Sequence, residues 1–274
     1  MADEMIRGVI GDGFVTEFML TASTKNIGID HSKNFVLCQS EERQKKFREF
    51  YNIQAVLNAD ELFPKTEVLF LTLQADDNEK FFAEINEKIP SQALIISVIH
   101  DLKIKTLEKI FPNHPIIRAT LSPQSLTGKG VCAYVVGKNF SADSESIAQF
   151  FMSYFGKNIK VSSEKELDSV EDLILATTIF SARVINSLIE CGVKDGVDEE
   201  KSKEIISNII AGEINFLTKK DSIVDYLIQQ GSGEKKILER GKDILEKYGI
   251  LSKLNKSFEQ EEAKEILKFH YHYW

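Results

Sequence analysis

The sequence predicts an α/β domain followed by an all-helical one, and three observations carry that prediction. Strand-length runs that are apolar on both faces alternate with helical patterns through the first half of the chain. A glycine turn, Gly11-Asp12-Gly13, follows the first of those runs. Past Gly156 the strand-like runs stop and helical periodicity takes over. Runs apolar on both faces belong to parallel strands covered by helices on each side, because a strand with one wet face alternates instead.

In order, Ile6 to Ile10 is a short apolar run, and Phe14 to Ala22 is a helix candidate. Phe35-Val36-Leu37-Cys38 is a second buried strand, and Glu41 to Tyr51 is a charged amphipathic helix. Val68 to Leu73 and Leu94 to Ile99 are continuous apolar runs. Ile116-Ile117-Arg118-Ala119 and Val131 to Val136 add two more strands. Strand, helix, strand in alternation gives parallel pairing with right-handed crossovers. This is a Rossmann-type, doubly wound, mostly parallel sheet, assigned to residues 1–157.

Residues 158–274 are expected to form a helical dimerisation and substrate domain. Ser163-Glu164-Lys165-Glu166 has the capping-box pattern, and Ser169-Val170-Glu171-Asp172 is a second possible N-terminus. Leu173 to Ile189 is apolar around most of its circumference, as in a central helix buried on several sides. Lys201 to Thr218, Ile223 to Gln229 and Lys235 to Tyr248 are further helices.

Bulk properties narrow the class. The 274 residues suffice for one large domain or two modest ones. A net charge of -8 argues against nucleic acid, which needs clustered Lys and Arg. No stretch approaches the run of about 20 apolar residues that spans a membrane. The acidic Met1-Ala2-Asp3-Glu4 is the opposite of a basic secretory leader, so a cytoplasmic location is expected. Cys38, Cys132 and Cys191 are far apart in apolar runs and are expected to be buried, reduced thiols. Their spacing suits no metal.

The glycine turn carries chemistry. In strand–Gly-x-Gly–helix the first glycine makes the tight turn and the second lets backbone approach a pyrophosphate. A third lets helix and strand pack closely. Here Thr16 takes the third place, where it either pushes the helix outward or adds a hydroxyl contact to phosphate. Amides of Gly13 and Phe14, continued by Val15, would hold phosphate without any particular side chain. Asp12 beside a pyrophosphate costs Coulomb energy unless it points to solvent. The plainer alternative is a strand-to-helix turn that binds nothing. After the second strand, Gln39 and Ser40 with Arg43 lean to NADP, while Glu41 and Glu42 lean to NAD. Arg43 could equally be a solvated helix residue. His100-Asp101 follows the Leu94 to Ile99 strand, as an acid or base or as a surface loop. His270-Tyr271-His272-Tyr273-Trp274 has no third metal ligand, and docking of this aromatic tail is the simpler reading.

Four segments in this order resemble the pyrroline-5-carboxylate reductase family. They are Ile10 to Val15, Leu94 to Val98, Arg118 to Val131 with its Gly128-Lys129-Gly130, and Ile185 to Val197. The resemblance implies an NAD(P)-binding Rossmann domain, a helical homodimerisation domain and hydride transfer to a cyclic imine, as in proline biosynthesis. It adds Thr72, Leu73 and Gln74, at the end of the Val68 to Leu73 strand, to the cofactor set. The family's functional motifs depart here. Met-Pro-Asn falls on Thr120-Leu121-Ser122, Val-Lys-Pro on Leu73-Gln74-Ala75, and Gly-Ser-Gly-Pro on Leu175-Ala176-Thr177-Thr178. The Ser-Pro-Gly-Gly-Thr-Thr loop is matched only by Gln230-Gly231-Ser232-Gly233-Glu234-Lys235. Ser122, Thr178 and Ser232 are the catalytic candidates that remain, each with a local capping role as its simpler reading. The alternative function is a catalytically inactive paralogue acting as a nucleotide-sensing, regulatory or structural dimer.

Overall fold

The computed structural model of the chain describes residues 4–27, 31–73, 78–217, 226 and 235–249. Eight strands form one sheet: β1 Arg7–Ile10, β2 Asn34–Leu37, β3 Gln54–Val56, β4 Val68–Leu71, β5 Leu94–Ser97, β6 Ile116–Leu121, β7 Val131–Val136 and β8 Lys157–Lys160. Their spatial order is β3-β2-β1-β4-β5-β6-β7-β8. All neighbours are parallel except β6 and β7. The chain leaves β1 toward β2 and β3, then returns to build β4 onward on the other side. The crevice between the C-terminal ends of β1 and β4 is therefore the topological switch point.

The helices are α1 Phe14–Ile27, α2 Glu41–Tyr51, α3 Ala59–Leu62, α4 Asn78–Asn86, α5 Ile104–Ile110, α6 Ala142–Met152, α7 Glu164–Lys194, α8 Glu199–Leu217 and α9 Lys235–Lys247. Alternate residues of one strand feed two different cores. Val9, Phe70 and Ile96 join one cluster with α1 and α6 residues, while Ile10, Leu69, Leu71 and Ile95 join the other with α4 and α5. This explains why the strand runs are apolar throughout, and it is the doubly wound sheet the sequence predicts.

Two short strands escape the sequence reading for physical reasons. β3 spans only three residues, and β8 is a Lys-Asn-Ile-Lys edge strand whose outward lysines protect an otherwise unpaired edge. The Ser163 cap forms, with Glu166 N–H donating to Ser163 Oγ at 3.2 Å. The Glu166 carboxylate reaches Ser162 instead, accepting from its N–H at 2.7 Å. No second helix starts at Ser169, because α7 runs unbroken through it for 31 residues.

The described residues divide into two compact units, one reaching Ile174 and the other beginning at Leu175, inside α7. The second unit differs from expectation. Instead of lying buried on several sides, α7 leaves Leu173, Ile179, Val184 and Leu188 exposed; only Leu175 and Ala176 in that stretch are buried. α8 likewise exposes Ile205, Ile209 and Ile214. α7 is also long and apolar enough, by length and composition, to cross a membrane, which no stretch is expected to be. The apolar stretch of α7 carries Arg183 at mid-length, a costly residue to place in lipid. Cys38 and Cys132 are buried as expected, whereas Cys191 is exposed.

Candidate functional site

The glycine turn sits at the switch point. Gly11 adopts φ +121°, a conformation that L side chains rarely take, and a Cβ there would run into the Thr72 hydroxyl. A Cβ on Gly13 would meet nothing within 4 Å. The two glycines thus do different work. Gly11 lets the backbone turn tightly against the end of β4, while Gly13 leaves open space at the first turn of α1. Backbone N–H groups at a helix N-terminus facing open space form the arrangement a phosphate needs.

Thr16 fits neither expectation. Its hydroxyl is buried and turned inward, 2.7 Å from the Gly11 carbonyl and 2.7 Å from the Thr72 hydroxyl. Thr72 Oγ1 in turn donates to the Ile10 carbonyl at 2.9 Å. Each hydroxyl has one hydrogen, so Thr16 shares its proton between two acceptors. The missing third glycine is replaced by a polar stitch that fastens α1 and the end of β4 to the turn. It is not available to a phosphate.

Asp12 does not point to solvent. It is 7 % exposed, and its Oδ2 accepts from the Gln39 N–H at 2.9 Å. Arg43 Nε lies 3.8 Å from that oxygen, and Arg43 Nη1 pairs with Glu17 at 2.9 Å. Glu17 also accepts from Lys46 at 2.7 Å. The Arg43 guanidinium lies over the Phe47 ring, 5.5 Å from its centroid. Ser40 caps α2, accepting from Arg43 N–H at 3.3 Å. Arg43 is therefore not a solvated helix residue but the centre of an ionic cluster at the ends of β1 and β2. Beside it, burial first and the Asp12 charge second push the Cys38 thiol up to about 11, so it stays neutral.

The structure brings Gly11, Asp12, Gly13, Phe14, Val15, Gln39, Ser40, Arg43, Thr72 and Leu73 to the C-terminal ends of β1, β2 and β4. Gln74 lies outside the described residues. Of the catalytic candidates, Ser122 is 3 % exposed and its Oγ accepts from Val131 N–H at 3.0 Å, which holds the β6–β7 connection. Thr178 lies in the second unit, on α7. Ser232 and the His270–Trp274 tail lie outside the described residues. The Gly128-Lys129-Gly130 segment is tight for packing reasons: a Cβ on Gly130 would strike the Phe155 carbonyl and the Ser125 hydroxyl. Among the described residues no group of His, Cys, Asp and Glu could hold a metal ion.

The space beneath α1, lined by Arg7, Thr16, Phe151 and Tyr154, holds about 40 Å³, too little for a dinucleotide. A groove of about 710 Å³ runs along the edge strand β3, past Arg48 and Gln54.

A second cluster lies at the C-terminal end of β5, around Arg118 on the neighbouring strand β6. Arg118, fully buried, donates to the His100 carbonyl at 2.5 Å and to Asp168 at 2.9 Å. His100 Nδ1 stands 2.6 Å from the buried Glu171, and Lys103 reaches Asp168 at 2.9 Å. Ile104 N–H donates to Glu164 at 2.9 Å. His100 is thus neither a loose loop residue nor a lone acid. Its hydrogen bond to Glu171 raises its pKa above the ordinary 6.5 against the opposing effect of burial. Burial pushes the Asp168 carboxyl up, but the Lys103 and Arg118 hydrogen bonds outweigh it and hold it low. The sequence does contain the signals. Arg118 interrupts an apolar strand, and Glu164, Asp168 and Glu171 repeat at helical spacing along one face.

No family profile matches the chain. Individual relatives do. A pyrroline-5-carboxylate reductase of Staphylococcus epidermidis is 22% identical over 244 residues, covering 88% of this chain and 90% of that protein. Pyrroline-5-carboxylate reductase 2 of Bacillus subtilis is 24% identical over 213 residues, 77% of this chain and 76% of its own. Among solved structures, the Plasmodium falciparum pyrroline carboxylate reductase with NADP bound superposes with a TM-score of 0.78 at 20% identity, covering 97% of this chain and 98% of that one. The pyrroline-5-carboxylate reductase of Coxiella burnetii gives a TM-score of 0.78 at 18% identity, over 96% and 97%. With sequence likeness over most of its length and the same fold over nearly all of it, the chain is similar to the pyrroline-5-carboxylate reductases.

Proposed function

We propose that the chain is an NAD(P)H-dependent reductase that transfers hydride to the C=N carbon of a small cyclic imine, in the proline-forming manner of its named relatives. One observation carries the reading: open space over Gly13 at the N-terminus of α1, at the β1/β4 switch point. That ledge would take the diphosphate, with Gly13, Phe14 and Val15 offering N–H groups and Gly11 providing the turn. Gln39, Ser40 and Arg43 would face the adenosine end, and Thr72 and Leu73 would flank the crevice from β4. The dinucleotide, when bound, supplies the hydride. The chain's residues would hold and aim it and keep the crevice shaped.

The proton needed on the imine nitrogen does not require a strong protein acid, because an iminium forms readily in water. This suits a site whose hydroxyl at Ser122 is already occupied by a backbone amide. The inactive-paralogue alternative is not favoured, since the sequence relatives are named as reductases.

The region from 158 onward, helical past β8, would serve as dimerisation and substrate domain. The uncovered apolar faces of α7 and α8 support a homodimer formed through them, working in the cytoplasm. The test is direct. Purified chain is mixed with NADH or NADPH and pyrroline-5-carboxylate, and loss of dihydronicotinamide absorbance is followed while proline is quantified. Proline formation with either dinucleotide supports the reading. Absence of binding to both at millimolar concentration sinks it.

A further inference from the structure

We propose that Asp12 is the residue that selects the dinucleotide, and that it disfavours the 2′-phosphate, so that NADH binds more tightly than NADPH. This rests on the reductase reading and deepens it at the adenosine end of the same site.

In doubly wound nucleotide-binding sheets, the end of the second strand reads the adenosine ribose. A carboxylate there accepts from the ribose hydroxyls; an arginine there grips a 2′-phosphate. This chain has no acid at the end of β2, where Cys38-Gln39-Ser40 stand, and by sequence Arg43 leans to the phosphate. The structure rearranges both roles. The carboxylate is supplied by the glycine turn: Asp12 crosses from the end of β1 and fastens its Oδ2 to the Gln39 N–H at 2.9 Å. Its Oδ1 makes no hydrogen bond among the described residues and remains to accept from a ribose hydroxyl. Arg43 is engaged on three sides, by Glu17 at 2.9 Å, by Asp12 at 3.8 Å and by the Phe47 ring beneath it. Lys46, the other nearby cation, is also paired with Glu17, at 2.7 Å.

Charge settles the direction. The cluster holds two carboxylates, Asp12 and Glu17, and two cations, Arg43 and Lys46, each cation already paired. Glu41 and Glu42 add negative charge in the first turn of α2. A neutral ribose diol can donate to Asp12 without disturbing this balance. A phosphate near two negative charges would face Asp12 at close range, and it could recruit Arg43 only by displacing Glu17.

The experiment is equilibrium titration of the full-length chain with NADH and NADPH by dihydronicotinamide fluorescence. 5′-AMP and adenosine-2′,5′-bisphosphate serve as competitors that read the ribose alone. Asp12→Asn keeps the shape and removes the charge; Glu17→Gln frees Arg43 and tests the same idea should Asp12→Asn fold poorly, which its melting curve reports. The expected result is at least a tenfold preference for NADH, narrowed at least tenfold in Asp12→Asn. NADPH binding should tighten in Glu17→Gln, with NADH little changed. Equal or tighter NADPH binding by the wild type, or an unchanged ratio in both variants, overturns the role of Asp12 and leaves the reductase reading standing. Failure of both dinucleotides and both competitors to bind overturns the two together.

Discussion

The two units of this chain spend their apolar residues differently. In the α/β unit, Val68, Leu69, Ile95 and Ile117 are fully enclosed by the chain's own helices. In the helical unit, Ile179, Val184, Ile205 and Ile209 remain more than 40 % exposed. The strands and the Leu173 to Ile189 stretch of α7 both read as buried in the sequence. Apolar patterning states that a surface must be covered without saying which chain covers it. The first unit is closed by its own topology, whereas the second presents a surface of the kind a partner completes.

The largest effect should come from attacking that exposed surface. A Val184→Glu, Ile209→Glu double variant places two charges where the proposed homodimer would desolvate them. Its dissociation constant should rise by more than about a thousandfold, since each unpaired buried charge costs several kcal/mol. Sedimentation should show a dimer for the wild type and a monomer for the variant. A wild type that sediments as a monomer at high concentration would erase the contrast between the units.

In the closed unit the corresponding attack is Arg118→Leu. It removes one cationic partner each from the buried Glu171 and from Asp168, leaving them to His100 and Lys103, so stability should fall by about 3–5 kcal/mol at every protein concentration. Denaturant melts at two concentrations distinguish the two: Arg118→Leu should keep the concentration-dependent midpoint of a dimer, whereas the monomeric interface variant should lose it.

The glycine turn offers a matched pair of smaller effects. Gly11→Ala meets both a positive φ of +121° and the Thr72 hydroxyl, and should cost about 2–3 kcal/mol. Gly13→Val projects into open space and should leave stability within about 0.5 kcal/mol while weakening dinucleotide binding at least tenfold. If both variants lose stability alike, the division of labour between the glycines is wrong.

The smallest effect is His100→Gln, worth about 1 kcal/mol through its hydrogen bond to Glu171. Because the folded state raises the His100 pKa, the stabilisation is fully present below the ordinary 6.5. It is lost as pH rises through the raised folded value. Asp168 has the opposite sign: held low, it contributes above its ordinary 3.8 and fails as pH falls through its folded value. Melting curves of wild type and His100→Gln should therefore converge toward alkaline pH and diverge near pH 6. Curves that stay parallel across that range would mean the His100–Glu171 pair is not ionic.

Much of the fold was legible because the strands are apolar on both faces. Glu41 to Tyr51 and Val131 to Val136 match their observed elements end to end. β3 and β8 were not legible, being too short and too polar to carry a period. The glycine turn was legible as a type but not in its details. Which way Thr16 and Asp12 face depends on Thr72 and Gln39, which are 56 and 27 residues away. Arg118 and Asp168 went unread as a pair for the same reason: a helix face announces its spacing, not its partner across the fold.

The β6–β7 pair has a consequence in time. Every other pairing in the sheet is parallel and must wait for a crossover to close. β6 and β7 are joined by the short connection 122–130 and run antiparallel, from Ile117↔Val136 to Leu121↔Cys132. Closing a short loop is fast, and pairing across a long one is slow. This hairpin should therefore gain protection against hydrogen exchange before its neighbours during refolding. It would act as the seed onto which β5 and then β4, β1 and β2 are laid, so that the proposed nucleotide ledge would be among the last parts of the sheet to exist.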